Sequence, residues 1–274
     1  MKPLISLFGT GIRTHMWEDL YRSLSKSSVS FELIMVGPNV PDFPLPKNFH
    51  YIYSNTKPAQ CSEVAARYTT ADLIMNVGDD LRFSDNALDE MFNLYEKNAS
   101  EELVISCRMS RDNILYDIKH HLFLGTVPGS PLMPLCQLMS KTFWNRLGGI
   151  DKRFTAVFWT EDVAMRAYEA GGRFLIAEKA IMEEVFDKPS IFSRIINKIT
   201  NTNTRKAGLY VEYGISIDRP LLDSFWVSSE QESQEDIYDV NDQGVSVLKQ
   251  RKSPVILFED NHLLTVSQEP TGRW

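Results

Sequence analysis

The chain has 274 residues, of which 43% are apolar, and a formal net charge of −7 from 29 basic and 36 acidic side chains. That length suits one α/β domain with an appendage, and the apolar share is enough for a sizeable core. An acidic surface without a basic block repels phosphate backbones and argues against a nucleic-acid partner; no run of about 18 apolar residues occurs, which argues against a membrane-spanning segment.

Leu4 to Phe8 is a short apolar run ending in Gly9-Thr10-Gly11, read as a buried strand and turn rather than a signal peptide. Residues 14–26 carry Met16, Leu20 and Leu24 at helical spacing, and Phe31 to Val36 is a second strand stopped by Gly37-Pro38-Asn39. Three prolines make 40–48 a loop, and Tyr51 to Tyr53 reads as a short strand. A helix is expected over 59–69 and a strand over Leu73 to Val77, with Gly78-Asp79-Asp80 at its carboxyl end. Ser84 is placed to cap a helix over 85–97, and Leu103 to Cys107 is a further strand.

This alternation predicts a mainly parallel sheet flanked by helices, whose ligands bind beyond the carboxyl ends of the strands. Residues 110–135 are irregular and Pro/Gly-rich, as an acceptor-side insertion or lid would be. Ser140 to Leu147 reads as a helix ended by Gly148-Gly149. Thr160 is placed to cap a helix over 161–170, closed by Gly171-Gly172. Short strands are expected at Phe174 to Ala177 and Ala180 to Met182, and a helix at Ile191 to Ile199. The polar run 200–206 reads as a linker. Residues 229–242 hold six acidic and no basic side chains, the pattern of a solvated, mobile segment; Val245 to Leu248 and Val255 to Phe258 could pair beyond it. The domain expectation is therefore 1–200 with an extension over 201–274, the latter a candidate for oligomer contacts. Cys61, Cys107 and Cys136 are widely spaced and odd in number, as free thiols of a cytoplasmic protein would be.

Two acidic constellations carry the chemistry. Adjacent Asp79 and Asp80 at a strand end are costly to hold together unless a cation or solvent neutralises them, and Mn²⁺ or Mg²⁺ takes one or two carboxylates and completes its shell with phosphate oxygens. A solvated turn before a helix is the plainer reading of Gly78-Asp79-Asp80 taken alone. Glu161 and Asp162 open a helix. Dipole complementarity favours acids there in any protein, and a base so placed can also project into a crevice and take a proton from a hydroxyl.

Both constellations in this order, with Lys141-Thr142-Phe143-Trp144-Asn145-Arg146-Leu147-Gly148-Gly149-Ile150-Asp151 before the second and Arg166 and Gly171-Gly172-Arg173-Phe174 after it, resemble family 2 glycosyltransferases over roughly residues 3–185. The resemblance implies a GT-A (Rossmann-like) fold and inverting transfer from a nucleotide-sugar donor, UDP-linked, to an acceptor hydroxyl. It implies Asp162 as base with Glu161 its neighbour, Asp80 as the metal-ligating last acid of a DxD motif, and Asp79 in support. Gly9, Thr10, Asn39, Asn55, Lys57 and Arg67 are candidates to line the donor subsite.

Three departures stand out. Gly78 replaces the first DxD acid, Gly37-Pro38 stands where an acid often meets the nucleobase, and Glu183-Glu184 occupies the place of a histidine. Trp159 could stack on an acceptor sugar or simply pack. His120 and His121 point in different directions on any regular element and do not read as a metal pair, and His262 has no placed partner. The competing readings are a catalytically degenerate GT-A module that binds a sugar nucleotide or glycan and, with less support, a nucleotidyltransferase.

Overall fold

Apolar runs without alternation need cover on both faces, so strands of this kind assemble into a sheet sandwiched between helices. The computed structural model describes residues 3–111, 113–115, 136–185, 217–218, 220–222, 224–225, 238–240, 246–248 and 253–258. In it β1 (Ile5–Thr10), β2 (Phe31–Gly37), β3 (Phe49–Tyr53) and β4 (Leu73–Gly78) lie side by side in the order β3-β2-β1-β4, all parallel. The connecting helices are α1 (Thr14–Leu24), between β1 and β2, and α2 (Pro58–Tyr68), between β3 and β4.

Period-two alternation sorts the side chains of β1. Ile5 and Leu7 join Trp17, Leu20 and Leu24 of α1 in one core cluster, whereas Phe8 joins Ala59, Cys61 and Ala65 of α2 in the other. Each such side chain fully withdrawn from water is worth about 1.5–3 kcal/mol. The first cluster also takes Leu88 and Met91 of α3 (Ala87–Lys97).

The second half of the sheet departs from the parallel expectation. Short β8 (Leu138–Ser140) is inserted antiparallel between β4 and β6 (Leu103–Arg111). β6 then pairs in parallel with β9 (Arg173–Glu184), and β5 (Leu81–Phe83) pairs antiparallel at the far side of β9. A two-residue β7 (Ile114–Leu115) pairs with the end of β6. Strands as short as β5 and β8 present too few residues for a legible period. The two short strands expected over 174–182 are one strand, β9, in which a register shift opposite Cys107 and Arg108 takes up the intervening residues.

One expected cap also differs. α3 starts at Asn86 in the left-handed region (φ 60°) with no side-chain cap, because the Ser84 hydroxyl accepts from Ile181 N in β9 at 3.0 Å. Ser140 does cap α4 (Lys141–Leu147), accepting from Phe143 N at 3.0 Å.

The expected helix at 191–199 and linker at 200–206 lie outside the described residues. So do most of 110–135, His120, His121 and His262. Within the acidic segment, β10 (Tyr238–Val240) pairs with β11 (Ser246–Leu248). The pairing expected between 245–248 and 255–258 does not form. Residues 253–258 instead run along the core: Lys152 N donates to Ile256 O at 2.9 Å and Arg67 Nη2 to Phe258 O at 2.7 Å.

The extension contributes Leu222, Phe225 and Phe258 to the same core cluster as α2. Its Asp218, fully buried, accepts from three successive backbone amides, Thr155 N at 2.9 Å, Ala156 N at 2.7 Å and Val157 N at 3.0 Å. Removing that carboxylate strands three donors, so Asp218→Ala is expected to cost about 2–3 kcal/mol in urea unfolding. A loss below about 0.5 kcal/mol would mean that the loop finds other partners.

The cysteines are free and buried. Burial pushes all three thiols up, that of Cys107 to about 12, so none is a thiolate at neutral pH. Iodoacetamide at pH 8 is expected to leave the folded protein unmodified and to label three sites after unfolding, which mass spectrometry counts.

Candidate active site

β1 and β4 are register partners, with Thr10 opposite Gly78, so the segments that follow them leave the sheet side by side. The first delivers Arg13 and the second Asp79. Arg13 wraps Asp79: its backbone N donates to Oδ2 at 3.1 Å, its Nε to Oδ1 at 3.1 Å, and its Nη2 to Oδ1 as well. The same Nη2 lies 2.9 Å from Asp80 Oδ2. Asp79 is buried while Asp80 stays about one-quarter exposed.

Burial pushes the Asp79 carboxyl up and Arg13 opposes it. Burial alone would lower the Arg13 guanidinium, but the two carboxylates more than offset this and hold it above its ordinary value. Arg82 adds a second positive charge. Its Nη1 donates to Leu81 O at 2.7 Å, and its Nη2 lies 3.6 Å from Asp19 Oδ2.

Gly11 makes the wrapping possible, since a Cβ there would sit 2.1 Å from Asp79 Oδ2. At Gly78 a Cβ would stand 2.7 Å from Asp80 Oδ1, the end of a partly exposed side chain that can turn aside.

The second acidic pair reaches the same edge through Gln137. β8 runs antiparallel to β4, so the residue before it lies by the carboxyl end of β4. There Gln137 N donates to Asn76 Oδ1 at 2.8 Å and its Nε2 donates to Thr160 O at 2.7 Å. That bond ties the first turn of α5 (Trp159–Glu169) to the strand that carries Asp79 and Asp80.

The start of α5 differs from expectation. Its N-cap is Phe158 in the left-handed region (φ 62°), and the Thr160 hydroxyl donates to Glu161 Oε2 at 2.6 Å instead of capping. Trp159 packs edge-on against Trp144, with ring centroids 6.5 Å apart, so its ring serves the core.

The two acids of α5 have different surroundings. Asp162 is fully buried, with Arg166 Nε donating to its Oδ2 at 2.8 Å. Arg166, buried too, donates onward to Leu147 O and, at 2.7 Å, to Gly149 O. Those carbonyls belong to the Gly148-Gly149 turn, where both glycines have positive φ, 86° and 64°. Asp162, Arg166 and the turn thus form a clamp that ties α5 to α4, and the expectation that Asp162 projects into the crevice is corrected. Glu161, one residue earlier, is half-buried and keeps an accessible edge.

The donor-side candidates divide. Asn39 Nδ2 donates to Ile12 O at 2.7 Å, bracing the loop that carries Arg13. Thr10 Oγ1 donates to Val36 O at 2.7 Å. Gly9 lies inside β1 where a Cβ would strike Val77 O at 2.2 Å, so it serves strand packing. Lys57 is the exposed N-cap of α2, and Asn55 is half-buried just before it. Arg67 is at the opposite end of α2, held by Glu63 at 2.8 Å and by the Phe258 carbonyl. It is removed from the donor subsite, because the carboxyl end of α2 points to the far edge of the sheet.

The architecture is shared with solved structures of Staphylococcus aureus TarS. A TarS fragment, residues 1–349, superposes with a TM-score of 0.55 at 16% identity over 84% of this chain and 76% of that one. The same fragment in complex with UDP gives 0.54 at 16% identity over the same shares. Its complex with UDP-GlcNAc gives 0.53 at 14% identity over 70% of this chain and 61% of that one. This chain has the GT-A fold. No protein-family model matches the sequence, and no curated protein matches it. Within the GT-A frame, Arg13, Asp79 and Asp80 occupy the carboxyl edge of the parallel strands, and α5 opens beside them. Among the described residues no helix is long and apolar enough to cross a membrane.

Proposed function

We propose that the chain is a glycosyltransferase that moves a sugar from a nucleotide donor, UDP-linked, to an acceptor hydroxyl with inversion. The observation that carries this reading is the placing of two acidic groups, far apart in sequence, at one edge of a GT-A sheet: Asp79-Asp80 with Arg13, and Glu161 tethered through Gln137. The TarS complexes with UDP and UDP-GlcNAc support the donor class.

Glu161 is the base in this scheme, being the acid of α5 that solvent reaches. The acceptor oxygen attacks the anomeric carbon, the bond from that carbon to the diphosphate breaks on the opposite face, and the hydroxyl proton passes to Glu161. Asp162 holds the helix that presents Glu161. Lys57 and Asn55 remain candidates for donor contacts.

A divalent cation does not fit the residues as they stand. Both oxygens of Asp79 and one of Asp80 are engaged by Arg13, and Glu184, near the missing histidine's place, is committed to Arg111 Nε at 2.8 Å. Among the described residues no three His, Cys, Asp or Glu side chains come together as a metal site. No step of the scheme is routed through a metal. A cytoplasmic setting suits three protonated buried thiols, and the extension's oligomer role stays part of the proposal.

Isothermal titration with UDP, followed by sugar-release assays over several UDP-sugars, tests the reading. The expectation is UDP binding and turnover of at least one donor. Binding without turnover on any donor would support the degenerate module, which the missing DxD acid also favours. No binding to any nucleoside diphosphate would remove both.

A further inference from the structure

We infer that Arg13 takes the place of a divalent cation at the donor site, so that the chain binds its nucleoside diphosphate without metal. The inference rests on the glycosyltransferase reading and concerns how the same site handles charge. Two adjacent carboxylates at a ligand edge need a positive partner, and in this chain the partner is built in.

Arg13 contributes three nitrogens to Asp79 and one of the same three to Asp80. A guanidinium is permanently charged and its planar fork suits carboxylates and phosphates alike. Its Nη1 makes no hydrogen bond among the described residues, and the side chain is one-quarter exposed. Two N–H groups therefore remain for a phosphate oxygen while the carboxylates stay neutralised.

Arg82, ion-paired with Asp19, adds a second guanidinium whose charge also acts on both carboxylates. A cation entering this group would have to displace Arg13 from a buried acid, leaving a guanidinium and a metal to share the same oxygens. Three further features point the same way. Gly78 offers no acid, Glu184 is held by Arg111, and Gly11 is the residue that lets Asp79 approach the Arg13 backbone.

The test compares UDP affinity of the wild-type chain by calorimetry in EDTA and in excess Mn²⁺. The two dissociation constants are expected to agree within about twofold. Arg13→Met is expected to weaken UDP binding in EDTA about tenfold to a hundredfold, the worth of one or two charge-assisted hydrogen bonds to phosphate. Mn²⁺ is then expected to restore part of the loss, because the freed carboxylates become a metal site that electron paramagnetic resonance detects. The Arg13→Met/Asp79→Asn double variant keeps the buried group neutral if the single variant fails to fold, and it too is expected to lose UDP affinity in EDTA. UDP binding by the wild type that requires Mn²⁺ overturns the inference and leaves the glycosyltransferase reading intact. No UDP binding in either condition overturns both.

Discussion

Glu161→Gln is expected to lower sugar transfer by about 10²–10⁴-fold, the range for loss of a positioned general base, while UDP affinity and melting temperature stay close to wild type. Glutamine keeps the shape and the hydrogen bond from Thr160 Oγ1 and removes only the ability to take a proton. Transfer rates on a donor identified in the release assays, together with calorimetry, separate this from a binding defect. The outcome that would sink the assignment is a Glu161→Gln protein that transfers at the wild-type rate. Asp162→Asn would then be the variant to examine, since a rearranged α5 could still expose that carboxylate during turnover.

Breaking the Asp162–Arg166 pair gives the second large effect, and its first readout is stability. Both side chains are withdrawn from water, Asp162 entirely and Arg166 to 5% exposure, so removing one strips the other of its ion-pair partner in the interior. Such a loss costs about 3–5 kcal/mol, which for a domain of this size lowers the melting temperature on the order of 10 °C. Asp162→Ala is expected to show this loss. Arg166→Met should cost more, because it also frees the carbonyls of Leu147 and Gly149. Replacing both residues by apolar ones is expected to cost less than the sum of the single changes, since the buried charges disappear together. A thermal melt of Asp162→Ala within about 2 °C of wild type would show that the pair is not the clamp described here.

The sequence carried the first half of the fold well because its strands are continuous apolar runs and its helices keep a clean stripe. Leu4 to Phe8, Phe31 to Val36 and Leu73 to Val77 each matched a strand within a residue or two. The antiparallel insertion of β8 was hidden, since Leu138–Ser140 is too short to show a period and abuts a helix whose start masks it. Caps failed where another group claimed the side chain, β9 taking the Ser84 hydroxyl and the neighbouring Glu161 that of Thr160.

At the site, both acidic constellations were legible as motifs, but not the division of labour between neighbouring acids. Choosing Asp162 over Glu161 needs knowledge of which one faces the interior, and Arg166 four residues on was the available hint. Arg13 was missed although it lies only two residues beyond the turn Gly9-Thr10-Gly11. A cation at the carboxyl end of a strand beside one that ends in two acids was the signal. Gln137 and Asp218 act through backbone groups, and no residue pattern announces such partners.

The grip of Asp218 on residues 155–157 bears on how this polypeptide matures at the ribosome. The strands and helices up to β9 emerge first and can collapse on their own apolar faces, at the usual pace of about 5–20 residues per second. The amides leading into α5 remain unsatisfied until a residue some sixty positions later has been synthesised and threaded back. A nascent chain halted before that point would hold a formed sheet and an unfastened α5.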